Sequence, residues 1–151
     1  MASIKFNGVD AINASFDALA QVSDEEILSI LRPAAVRLQE AHKQAIKDNF
    51  VQRTGALHDS IQIEQKREGG SVFYRVLPKG KHPRPYLGKR NRTKPYNRDP
   101  ADNATIAFVL EHGSPRIAAR HWMEHANDKV RDELNGLIEK AWNDYLARKG
   151  G

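Results

Sequence analysis

The residues best suited to chemistry sit together in the stretch RHWMEH, which contains His121-x-x-Glu124-His125. In one inverted class of zinc peptidase, two histidines at this spacing hold the metal and the glutamate activates water. A helix carrying these residues would decide between metal chemistry and a surface. At about 100° per residue, His121 and His125 fall roughly opposite an apolar stripe that includes Met123, Val130 and Leu134, and Asp128 and Asp132 share their side. A peptidase zinc needs a third protein ligand and a cleft that excludes water. Histidines pointing away from the core supply neither. The expectation is a solvated or subunit-contacting face, with no catalytic residue, no metal and no cofactor.

Other chemistry is thinner. Ser60 has His58 and Asp59 beside it in sequence, but a nucleophilic triad is assembled in space, not along the chain. The glycines of EGGS follow charged residues and precede a strand pattern, which is the wrong setting for a phosphate-binding turn. The chain has no cysteine, so a disulfide framework, a thiol nucleophile and a cysteine zinc site are excluded together.

The elements that would carry these residues can be read from periodicity. Ser23 and Glu26 form a capping-box pattern, with Asp24 and Glu25 favouring the positive end of a helix dipole. Ile27, Leu31, Ala34, Leu38, Ala41 and Ala45 then follow at steps of three and four, predicting a helix to about Asn49. Pro33 either kinks that helix or opens a second one. Thr54-Gly55 reads as a turn. Residues 60–67 alternate, Gly69-Gly70 punctuates, and 71–77 are rich in β-formers, which together predict a hairpin. Asp99-Pro100 reads as the N-cap and first residue of a short helix that ends at His112-Gly113. A last helix follows from about His121 to Arg148, with Met123, Ala126, Val130, Leu134, Leu137, Ala141 and Tyr145 as its stripe. The opening residues lack a basic start followed by an apolar run, and no stretch approaches the roughly 18 apolar residues of a membrane span.

These elements predict an α+β fold in a single domain over 1–151, with 1–22 loosely attached. A small antiparallel sheet would pack against long N- and C-terminal helices. A hydrophobic content of 40% is enough for one modest core. Charge is distributed unevenly. Lys79, Lys81, Arg84, Lys89, Arg90, Arg92, Lys94 and Arg98 are opposed within their stretch only by Asp99 and Asp102. That segment therefore carries +6 of a total of +5, and the rest of the chain is near −1. Residues 78–99 are rich in Pro, Gly and cations and poor in aliphatics, so they predict an extended basic loop. Its cations meet either DNA phosphates, with Tyr86 and Tyr96 stacking on bases, or a neighbouring subunit.

Three pieces in order resemble a known family. After the first long helix, Thr54, Gly55, Leu57, Ser60 and Ile61 match a Thr-Gly-x-Leu-x-x-Ser-Ile element. Ala107, Glu111 and Gly113 match a later Tyr-Ala-x-x-x-Glu-x-Gly-Thr element, with Ser114 in the place of the threonine. Ala119, Arg120 and Trp122 stand where a Pro-x-Pro-Phe step precedes the last helix. The chain thereby resembles the minor tail-component or neck proteins of long-tailed bacteriophages, which join head to tail or complete the tail. The missing prolines and the basic insert depart from that pattern. The resemblance implies a structural virion protein, made in the host cytoplasm, that forms a homo-oligomeric ring and does no covalent chemistry. Its implied partners are further copies of itself, neighbouring head-closure or connector proteins, tail-tube or tail-terminator proteins, and DNA passing through the lumen, with no membrane. In this family the motif residues Thr54, Gly55, Leu57, Ser60, Ile61, Glu111, Gly113 and Trp122 are expected to be architectural.

Overall fold

A computed structural model describes residues 21–50, 55–82 and 101–150. Helix α1 spans Asp24–Asn49. Its start is the capping box read from sequence: Ser23 Oγ accepts from Glu26 N at 3.3 Å, and Ser23 N donates to the Glu26 carboxylate at 2.9 Å. Pro33 lies inside this helix without ending it, so one helix is formed rather than two. A one-turn helix, α2 (Ala56–Ser60), follows Gly55, whose φ is +70°. The sequence predicted only a turn here.

Strands β1 (Ile61–Glu68) and β2 (Ser71–Pro78) form the expected antiparallel hairpin, shifted by a residue at the ends. Both residues of the Gly69-Gly70 turn have positive φ, matching the mirror-image turn that suits the strand twist. Ile61, Ile63 and Arg67 share one face with Val72 and Val76 across the ladder. That face meets α1. Gln39 Nε2 donates to Ile61 O at 2.8 Å, and Arg67 pairs with Asp24 and Glu25.

Helix α3 (Asn103–His112) confirms helix over strand for this stretch, but its N-cap is Asp102. Asp99 and Pro100, the expected start, lie outside the described residues. The start is fixed instead by backbone partners. Asn103 N donates to Gly80 O and Asn103 Nδ2 to Lys79 O, both at 2.9 Å. His82 N donates to Ala101 O at 2.9 Å, and Lys81 bridges to Asp102. The two ends of the basic segment are thus closed into a narrow neck.

Helix α4 (Trp122–Lys149) runs antiparallel along α1. The pairs that join them climb one helix as they descend the other: Glu26 with Lys149 at 3.0 Å, Arg37 with Glu133 at 2.7 Å, and His42 with Asn127 at 2.7 Å. The Ser23 amide, and then Lys149, hold the Glu26 carboxyl down to about 2. Both long helices were expected to pack on the sheet. Instead α1 covers the sheet and α4 lies along α1. Two strands about 5 Å apart are too narrow to carry two helices of about 10 Å diameter. The last helix reaches the strands through its first residue, because Trp122 shares a core cluster with Ile46, Ile61 and Ala107.

Candidate functional site

The later family element turns out to be the joint between α3 and α4. Glu111 is buried, on the inward face of α3 with Asn103 and Ala107. Its carboxylate accepts from Met123 N at 2.7 Å and from Glu124 N at 3.1 Å. These are amides of the first turn of α4, which lack partners within their own helix. His121, the N-cap residue, makes no side-chain cap bond, so Glu111 does the capping from another helix. The same joint satisfies α3. Gly113 N donates to Val109 O, Arg120 N to Leu110 O and His121 N to Glu111 O, at 2.8, 2.9 and 3.1 Å. Gly113 has φ +80° and ψ −178°, a region essentially reserved for glycine. A Cβ there would stand 2.8 Å from both Ile117 O and Ala119 N. Trp122 is fully buried and its Nε1 points to Ala107 O at 3.4 Å. Ala107, Glu111, Gly113 and Trp122 therefore form one structural unit.

The earlier element is also architectural where it can be seen. Gly55 caps α2, Leu57 packs against the core, Ser60 Oγ donates to Leu57 O at 2.7 Å, and Ile61 is 1% exposed within the core. Thr54 lies outside the described residues.

The zinc-like motif does not converge. His121 and His125 are exposed on the outer side of α4, as expected, with ring centroids 6.3 Å apart. Among the described residues, Glu111, His121 and Glu124 bring one ligand atom each to within 4.8 Å of one another, and His125 is outside that group. Both Glu111 oxygens already serve backbone amides, at the positive end of a helix dipole that disfavours a cation. His121 is the one non-glycine residue with positive φ among those described, a conformation histidine tolerates better than most. A groove of about 160 Å³ between α1 and α4 has an alanine-rich floor beside Trp122. That is below the roughly 300 Å³ of a small ligand pocket.

Of the basic set, Lys79 donates to Glu64 at 2.7 Å, and the Lys81 backbone forms an isolated antiparallel β-bridge with that of Asp102 at the neck. The Lys79 hydrogen bond lowers the Glu64 carboxyl below its ordinary range. Arg84, Lys89, Arg90, Arg92, Lys94 and Arg98 lie outside the described residues.

His42 was not singled out from sequence. It is 2% exposed, lies edge-on to Trp122 with ring centroids 5.8 Å apart, and places Nε2 2.7 Å from Asn127 Oδ1. An amide oxygen accepts only, so Nε2 is the donor to Asn127. Burial pushes its pKa down. Among the described residues its Nδ1 has no hydrogen-bond partner. The available signal was its place between Ala41 and Ala45, on the inward stripe.

A narrow sheet and two long helices, joined through caps and turns that the motif residues build, define an α+β domain. The chain belongs to the family described as "Bacteriophage HK97-gp10, putative tail-component", whose model matches residues 10–96. The match includes α1, the Thr54–Ile61 element and the hairpin, and ends before the α3–α4 joint. Comparison with curated proteins and with solved structures returned no match. Among the described residues, no helix is long and apolar enough to cross a membrane.

Proposed function

We propose that this protein is a structural, non-enzymatic component of the phage or prophage virion at the neck or tail. In this reading it is a head–tail connector or tail-completion subunit that assembles as a homo-oligomeric ring. Family membership supports the tail, and one observation carries the assembly: the surface is unfinished. Among the described residues the sheet has two strands of eight residues, and no further described strand pairs with the outer edge of either. Such edges are templates for a neighbouring chain, and a lone hairpin is marginal in water. Phe108 is also 63% exposed. Neighbouring connector, tail-tube or tail-terminator proteins would meet the ring above and below. Native mass measured across concentrations, with electron microscopy of the particles, tests this. A closed ring of defined stoichiometry is expected, and a chain that stays monomeric would overturn the ring.

The second reading is a nucleic-acid-binding module that uses 79–98. It is favoured by the gathering of six cations into 84–98 beyond the neck, and it is compatible with a ring around DNA. Contact with phosphates predicts a steep salt dependence, with a log–log slope of about −0.9 per phosphate neutralised. Replacing Lys89, Arg90, Arg92 and Lys94 by Ser should flatten that slope without unfolding the domain. If free DNA affinity is poor and the same change weakens self-association, the segment is a subunit contact.

A further inference from the structure

Two exposed surfaces of this chain carry opposite charge. The first is a knob at the α3–α4 joint. From Ala104 to Leu110, α3 is apolar or Thr at every position, yet only Asn103, Ala107 and Glu111 are buried. A helix that is apolar all round belongs in an interior. Here Phe108 and Ile117 stand 63% and 44% exposed. In the segment that carries Ile117 from α3 to α4, Arg116 and Arg120 are exposed and their side chains form no ion pair among the described residues.

The second surface is the outer side of α4. Glu124, Asp128, Asp132 and Glu139 fall within an arc of about 80° at 100° per residue, opposite the Trp122–Ala126–Val130 stripe that faces inward. Glu124 lies 3.3 Å from His121, and Asp128 pairs with Arg131. Asp132 and Glu139 have no ion pair among the described residues. They are separated along the helix by about 10 Å, within the roughly 14 Å that the four residues from Arg116 to Arg120 can span. Asp132 begins about 15 Å down α4 from Trp122, on the far side from the packed interface.

We infer that the knob of one copy, Phe108 and Ile117 flanked by Arg116 and Arg120, docks on the acidic outer face of α4 of the next copy, with the arginines meeting Asp132 and Glu139. The occupant is a second copy because the charges complement each other and both surfaces occur once per chain. The contact joins unlike surfaces, so it propagates head to tail and closes into a ring when the rotation permits. This rests on the ring reading above and assigns its interface.

Charge reversal in two halves tests it on the full chain. Variant one carries Asp132→Lys and Glu139→Lys, and variant two carries Arg116→Glu and Arg120→Glu. All four positions are exposed, and unchanged circular dichroism confirms folding. Each variant alone should self-associate about tenfold or more weakly in sedimentation velocity, because like charges face each other. An equimolar mixture should recover self-association, since each contact between unlike variants restores opposite charges. Phe108→Ser should weaken association by about tenfold without affecting the fold. A wild-type chain that is monomeric up to about 100 μM would overturn both the ring and this interface. Wild-type rings with unimpaired variants, or impaired variants that do not rescue each other when mixed, would overturn the interface and leave the ring standing.

Discussion

Replacing Glu111 by Ala should destabilise the domain more than any exposed change at the α3–α4 joint. The carboxylate is 7% exposed and holds two first-turn amides of α4, at 2.7 and 3.1 Å. A hydrogen bond to a charged group contributes about 1.5–3 kcal/mol. Losing an N-cap typically costs about 1 kcal/mol. Both amides are only partly buried, so water recovers some of the loss, and about 3 kcal/mol is the expected total. For a chain near 150 residues, each kcal/mol lowers Tm by about 2–4 °C, which predicts a fall of about 6–12 °C. Glu111→Gln keeps one acceptor oxygen but turns an amide donor towards the second N–H, and should lose about half as much. Urea unfolding followed by circular dichroism reads the difference as a shift in midpoint at constant slope. A Glu111→Ala midpoint within about 0.5 kcal/mol of wild type would refute capping by Glu111 and with it the structural account of the motif.

Further outcomes separate the two kinds of residue found here. Gly113→Ala should cost about 3 kcal/mol or more, from a glycine-only conformation and a Cβ overlapping two backbone atoms. Gly136→Ala, at an open position within α4, should instead stabilise by about 0.5–1 kcal/mol, and thermal melts of the pair check both signs. Because the folded pKa of His42 is lowered below 6.5, stability is complete above that value and is lost as pH falls through the folded pKa. Urea midpoints of His42→Gln should therefore change less with pH below 6.5 than those of wild type, and an equal dependence would discount His42. His121→Asn with His125→Ala should shift stability by under about 0.5 kcal/mol. Calorimetry should find no tight stoichiometric zinc in the wild type, and finding it would overturn the reading of these histidines.

What was legible from sequence is what local physics determines. Ser23 and Glu26 announce α1, the alternation and Gly69-Gly70 announce the hairpin, and the stripe from Ala126 to Tyr145 announces α4. The packing order was not legible, because periodicity says that a face is buried and not what covers it. Two one-sided helices and one sheet suggested a shared face, whereas the sheet's width left room for one. The start of α3 was misplaced because Asp99-Pro100 is a strong local signal, while the actual start is set by Gly80 and Lys79 from more than twenty residues away. Glu111 and Gly113 were marked as a motif without their mechanism. Their roles depend on amides and carbonyls that only the folded joint brings near. His42 was missed because a histidine gives no sign of burial until its partner, Asn127, is seen 85 residues away.

The closed neck at Gly80 and Asn103 has a consequence for variation. Backbone hydrogen bonds between 80–82 and 101–103 tie together the two points that flank residues 83–100. The two ends of that stretch are therefore held at a fixed separation by groups of the described fold. Once such ends are set, doubling the intervening length adds only about 0.6 kcal/mol of closure entropy. The neck behaves as a socket into which cassettes of different length and charge can be fitted. Exchanging residues 83–100 for a segment of different length or charge should then leave α1, α4 and the hairpin folded, with the tie between 80–82 and 101–103 unchanged.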